Sequence, residues 1–295
     1  MKQKIYNDYV QILKEELVSA MGCTEPIALA YAAAKARETL NCRPDRVLAQ
    51  VSGSIIKNVK SVIVPNTNHM KGIPAAIAAG IVAGKPEKQL EVIAEVTENQ
   101  IREIGKFLDE VPIQIQHIEN GPTFDIVLTL FHENSSARIR IANYHTNIVL
   151  LEKDGNVLLR QDVKDNEESG LTDRSVLNME GIWEFINTMN IEDVRDILQR
   201  QIDYNTTISD EGLRGDYGAS IGKVLLKTYG NDIKVRAKAK AAAGSDARMN
   251  GCELPVVINS GSGNQGLTAS LPVIEYAREL HVDEEKLFRA LALSN

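Results

Sequence analysis

Gly22-Cys23-Thr24-Glu25-Pro26 brings a thiol, a hydroxyl and a carboxylate together just ahead of Ile27-Ala28-Leu29-Ala30-Tyr31-Ala32-Ala33-Ala34-Lys35-Ala36, a run that reads as a small-residue, closely packed helix. A thiol at a helix start feels the positive end of the helix dipole, which favours the thiolate. Cys23 is therefore a candidate base or metal ligand, and Glu25 a candidate general acid/base. The structural alternative is that Thr24 caps the helix, Glu25 complements its dipole, Pro26 sits in the first turn and Cys23 is a small buried residue.

Asn259-Ser260-Gly261-Ser262-Gly263-Asn264-Gln265-Gly266 follows the apolar run Leu254–Ile258 and opens into the helix-like Leu267–Ala277. Its three glycines allow positive φ and close approach of the backbone, and free N–H groups at a helix start favour an anion, so the stretch is a candidate carboxylate or phosphate cradle. A dinucleotide site is rejected, because Gly-x-Gly-x-x-Gly there needs a second parallel strand ending in an acid roughly 20 residues on, and Val282–Arg289 reads as another helix. His145, in Tyr144-His145-Thr146-Asn147 between two strands, is a candidate proton relay. Gly244-Ser245-Asp246-Ala247-Arg248-Met249 offers a guanidinium for a carboxylate and an acid to hold it, or else a helix end held by a local ion pair.

The 295 residues, 43% of them hydrophobic, suffice for one large core or two modest ones. A net charge of -7 and the lack of a basic stripe argue against nucleic acid as a partner. No stretch approaches the roughly 20 apolar residues of a membrane span, and the N-terminus acquires acids where a signal peptide would be apolar. Cys23, Cys42 and Cys252 are an odd number without CxxC spacing, so neither a disulfide framework nor a zinc site is expected, and the compartment reads as cytoplasmic.

The elements that would position these groups follow from periodicity. Tyr6–Ala20 is an amphipathic helix, with Tyr6, Tyr9, Val10, Leu13 and Leu17 on one face. Alternation around Val47–Val51 and the run Val62–Val64 read as strands, Ile73–Ala83 as a second small-residue helix, and Lys88–Asp109 as a helix broken near Thr97. Period-2 segments from Ile113 to Arg160, punctuated by turn residues, give an antiparallel sheet of roughly four or five strands. Asp162–Asp173 reads as a linker or surface loop, and the chain then turns helical. The fold class is α+β, with segments 1–40, 41–165 and 174–295 as N-terminal helices, a sheet subdomain and a helical subdomain. The apolar helix after Asp283 should pack on something, and nothing downstream supplies it, which suggests a chain that stops short.

Together, Gly22–Pro26, His145-Thr146-Asn147, Ser245–Met249 and Asn259–Gly266 resemble the L-cysteine desulfidase family, also known as serine dehydratase alpha-chain-like or UPF0597 proteins, from about Leu13 onward. The resemblance implies a lyase that splits L-cysteine into pyruvate, ammonia and sulfide with a [4Fe–4S] cluster and no pyridoxal phosphate. L-serine ammonia-lyase and a non-catalytic amino-acid-binding module are the alternatives. It further implies Cys23 as base, Glu25 and His145 as supporting catalytic groups, and Thr24, Asn147, Ser245, Arg248, Ser260, Ser262, Gly263 and Asn264 as substrate-binding residues. Cluster ligands are expected beyond Asn295, so the chain as given has no metal ligands and is expected to be inactive. The expected partners are a small amino acid, no nucleic acid, no membrane, and a second copy in a homodimer.

Overall fold

A computed structural model describes residues 1–163 and 171–295. The chain opens with helix α1 (Gln3–Glu16) and the short strand β1 (Ser19–Met21), and it divides into two compact units, one of Met21–Ser169 and one of Met1–Ala20 with Gly170–Asn295. The boundary near the N-terminus falls at Ala20, so the second helix belongs to the sheet unit, whereas the sequence pattern grouped residues 1–40 together. The cause is side-chain size: the alanines of that helix let it lie directly on the sheet and on another helix.

The sheet unit contains helices α2 (Thr24–Leu40), α3 (Gly53–Val59), α4 (Gly72–Ala83) and α5 (Glu98–Glu110), with strands β2 (Arg46–Ser52), β3 (Ile113–Ile118), β4 (Asp125–His132), β5 (Ser135–Ala142), β6 (Ile148–Lys153) and β7 (Asn156–Arg160). The strands form one sheet in the order β3-β2-β4-β5-β6-β7. It has six strands and is mixed: β2 and β3 run parallel, with Val47 opposite Ile113, and every other pair is antiparallel. The antiparallel expectation missed the parallel pairing of β3, which joins the sheet edge beside β2 only after a helical excursion that no local pattern announces. Val62–Val64 is not a strand; Ile63 makes a single bridge to Lys71. The break near Thr97 is real, and Thr97 and Gln100 form a reciprocal capping box at the start of α5.

The core of this unit lies where α2 packs on β4, β5 and α4. Ile126, Leu128 and Leu130 of β4 and Ile139 and Ile141 of β5 are fully buried, while Arg138 and Arg140 point to the other face. Each such aliphatic side chain contributes about 1.5–3 kcal/mol on burial. α2 and α4 approach so closely that a Cβ on Gly80 would lie 2.1 Å from the Ala30 carbonyl oxygen. On the polar face, Asp125 is fully buried and accepts from Arg140 Nε at 2.9 Å and Nη2 at 2.8 Å, a bidentate pair between neighbouring strands.

The other unit is helical: α6 (Met179–Thr188), α7 (Arg195–Arg214), α8 (Ile221–Tyr229), α9 (Ile233–Met249), α10 (Gly263–Glu279) and α11 (Glu284–Ser294), with one short strand, β8 (Pro255–Val257), paired to β1. α9 packs between α7, α8 and α10. Asn205, fully buried on α7, accepts from Val257 N–H at 2.8 Å and donates to Ser270 Oγ at 2.9 Å, tying β8 and α10 to one side chain. Asp283 caps α11 as its sequence suggests, through Lys286 N–H. The apolar face of α11 packs on upstream helices: Phe288 and Leu291 are buried against α6, α7 and α10, and Asn295 bonds Gln201 and Asn259. The linker expected at Asp162–Asp173 lies largely outside the described residues. Among the described residues, no helix is long and apolar enough to cross a membrane.

Candidate active site

In the sheet unit, Gly22 and Cys23 turn the chain into α2. Gly22 has φ +56, and a Cβ there would meet Pro65 Cγ at 2.4 Å, so the turn needs glycine for both conformation and space. Cys23 itself is the N-cap residue, with Thr24, Glu25 and Pro26 inside the first turn. The cap is one residue earlier than the side-chain preferences suggest; Thr24, already inside the helix, donates from Oγ1 to Glu25 Oε2 at 3.2 Å.

Cys23 Sγ lies 3.1 Å from the same Glu25 oxygen, and the thiol donates to the carboxylate. Asn58 Nδ2, from α3, donates to the other oxygen at 3.1 Å. Burial pushes the Glu25 carboxyl up, but the bonds from Cys23, its own backbone N–H and Thr24, with the positive field of His145, outweigh it and hold the carboxyl below its ordinary range. Cys23 is buried and Glu25 half-buried. The arrangement is thus a thiol–carboxylate pair at a helix N-terminus, with the thiol donating and the carboxylate held ionised.

His145 stands on the loop between β5 and β6, its ring 4.5 Å from that of Phe124. Asn147 shapes this loop: its side chain donates to Ala142 O at 2.9 Å and its backbone N–H to Tyr144 O, with Asn143 in the left-handed region. Asn147 thereby holds the loop that carries His145, and its own amide is buried.

In the helical unit, Ser260 (φ 46) and Gly261 (φ 74) are both left-handed, and Asn259 and Ser262 exchange backbone hydrogen bonds across them, which is the pattern of a type I′ turn. Ser262 Oγ then caps α10 by accepting from Gln265 N–H. Only one of the three glycines uses positive φ. Gly263 and Gly266 are in α10 and give close approach: a Cβ on Gly263 would lie 2.2 Å from Arg248 Nε, and one on Gly266 would lie 2.2 Å from Val257 O. The Arg248 side chain, 5% exposed, crosses the bare Gly263 backbone and donates through Nη1 to Asn264 Oδ1 at 3.0 Å. Asp246 is not the acid that holds it; its carboxylate accepts from Ile221 N–H at 2.7 Å, at the start of α8. Ser245 is half-buried on the last turns of α9.

The expected site residues therefore fall into two groups, Cys23, Thr24, Glu25, His145 and Asn147 in the sheet unit and Ser245, Arg248, Ser260, Ser262, Gly263 and Asn264 in the helical unit. Asn58 and Asn205 were missed. Each partners a group far along the chain, with no local motif to betray it. Cys252 is a buried thiol pushed up by that burial, against opposing bonds from Leu254 N–H and Tyr217. For an iron–sulfur cluster the donor set does not fit: among the described residues no group of three or more His, Cys, Asp or Glu side chains is placed to hold a metal ion.

A sequence model described as serine dehydratase alpha chain matches residues 87–295. Among curated relatives, a UPF0597 protein of Desulfitobacterium hafniense is 58% identical over 294 residues, 100% of this chain and 68% of that protein. A UPF0597 protein of Lachnoclostridium phytofermentans is 49% identical, over 99% of this chain and 70% of that protein. One from Fusobacterium nucleatum is 47% identical, over 97% and 68%.

Proposed function

The chain belongs to the serine dehydratase alpha-chain family, and from that premise we propose that it is an amino-acid lyase of the L-cysteine desulfidase type. The reaction removes the α-hydrogen as a proton and breaks the Cβ–S bond; the C–H electron pair becomes the new C=C bond and the sulfur leaves as hydrosulfide. The resulting enamine tautomerises and takes up water to give pyruvate and ammonia, with no redox change and no pyridoxal phosphate.

The observation that carries this reading is the contact of 3.1 Å between Cys23 Sγ and Glu25 Oε2. Loss of the Cys23 proton leaves a thiolate at the positive end of α2, which is a suitable base for the α-hydrogen, and Glu25, bonded to the sulfur, lies on the path of that proton. Asn58 and Thr24 hold the carboxylate in place there. Within the helical unit by itself, Arg248, with Asn264 fixing its guanidinium, presents a planar fork of donors of the kind that suits a carboxylate. No step is assigned to an iron–sulfur cluster, since among the described residues no set of side chains is placed as its ligands. The family's description favours L-serine as a second substrate reading, with hydroxide leaving in place of hydrosulfide.

The test is anaerobic incubation of the protein in D2O with L-cysteine or L-serine, with and without added iron and sulfide, followed by proton NMR. Loss of the α-proton signal, which needs the base alone, is expected and should vanish in Cys23→Ala. If neither amino acid exchanges or reacts under any condition, the lyase reading fails; the ratio of kcat/KM values decides between the two substrates.

A further inference from the structure

The sheet unit holds a hollow of about 670 Å³ where the C-terminal end of α2 meets the end of α4 and the flank of α5. Its apolar part is made by Ile81, Val82 and Phe107. Arg37 and Arg43 also line it. Arg43 is engaged, with Nη2 2.7 Å from Glu110 Oε2 and its guanidinium 5.5 Å from the centre of the Phe107 ring. Arg37 is different. Its Nη2 donates to Gly84 O at 3.2 Å, its Nε is buried with no hydrogen-bond partner, and among the described residues it makes no ion pair. A half-buried guanidinium without an ion-pair partner is better satisfied when an anion reaches its exposed side.

We propose that this hollow binds a small organic monocarboxylate with an aliphatic body, its carboxylate on Arg37 and its chain against Ile81, Val82 and Phe107. A guanidinium presents paired donors to a carboxylate, and the apolar wall rewards a ligand with a hydrocarbon part. Lys85 also lines the hollow but is paired with Glu95, as Arg43 is with Glu110, and Glu38, Glu87 and Glu103 line it too, so one negative charge on Arg37 is favoured over the two of a phosphate dianion. Nothing in the lyase reading uses these residues, so the hollow is a separate ligand site.

Cys42 lines the same hollow and is half-buried, while Cys23 and Cys252 are buried, so the protein carries its own reporter. The experiment measures the rate of Cys42 alkylation by neutral iodoacetamide, read by mass spectrometry on the native protein, as valerate is titrated in at constant ionic strength. Valerate should slow alkylation at least threefold in a saturable way, sodium chloride and inorganic phosphate should not, and Arg37→Gln should abolish the protection. Saturation-transfer NMR of valerate with the unmodified protein gives a second reading that needs no variant. Absence of both protection and saturation transfer, equal protection by phosphate, or undiminished protection in a folded Arg37→Gln protein would each overturn the proposal.

Discussion

Asn58 and Cys23 approach Glu25 from opposite sides, the amide donating to Oε1 at 3.1 Å and the thiol to Oε2 at 3.1 Å. The amide leaves the carboxylate no freedom to rotate away from the sulfur. Asn58→Ala should therefore lower kcat about tenfold with little change in KM, while Glu25→Gln, which removes the proton acceptor itself, should cost about 10²–10⁴-fold. Steady-state kinetics on both variants separates the roles; an Asn58→Ala enzyme with a raised KM and normal kcat would remove Asn58 from the proton path.

The pH dependence of stability has a defined sign. Burial raises the Glu25 carboxyl, but the donors around it prevail and its pKa in the fold is below the ordinary 4.5. The unfolded chain then binds the proton more readily, so Glu25 stabilises the fold above pH 4.5, and this contribution is lost as pH falls through the lower folded value. Thermal melts should show wild type and Glu25→Gln separated at pH 7 and converging as the pH drops below that range. A gap that widens on acidification would contradict the arrangement.

Arg248 lies across a glycine, and the space is not negotiable. With a Cβ only 2.2 Å from Nε, Gly263→Ala must displace the guanidinium or the start of α10, at about 1–3 kcal/mol. Arg248→Lys keeps the charge but loses the fork that reaches Asn264. Both variants should raise the KM for the amino acid, about tenfold for the lysine, and only Gly263→Ala should also lower the melting temperature. Asn264→Ala with an unchanged KM would return the loop to a purely structural role.

Asp125 is fully buried against Arg140, whose side chain is 30% exposed. Removing a buried partner of such a pair costs about 3–5 kcal/mol, and the open side of Arg140 lets water offset part of this. Asp125→Ala should thus lose about 3 kcal/mol in urea titration, with Asp125→Ala/Arg140→Ala recovering some of it.

What could be read from the sequence was whatever repeats locally. Helical periodicity found α1, α4 and α11, the turn residues found the hairpins of β4 to β7, and the motif at residues 22–26 was placed correctly at a helix start. What escaped depended on distant partners. Nothing near Arg46–Ser52 says that it runs parallel to a strand more than sixty residues later, and nothing near Asn58 names Glu25. The glycine loop shows the same limit. Its spelling suggested backbone bared for a ligand, whereas Gly263 and Gly266 are bare for Arg248 and β8, a distinction made by residues outside the loop.

The backbone contact between Ala30 and Gly80 fixes more than a helix pair. Ala30 is about two turns from Cys23 along α2, and it is pinned there by main chain against main chain, with no side chain between to change rotamer. The sulfur is therefore indexed to a rigid reference in the way a gauge point is indexed to its frame: thermal repacking of side chains elsewhere shifts the core without shifting the end of α2. A reactive group mounted like this keeps its address while the rest of the protein breathes, and drift in sequence is admitted around it only where it leaves residues 30 and 80 small.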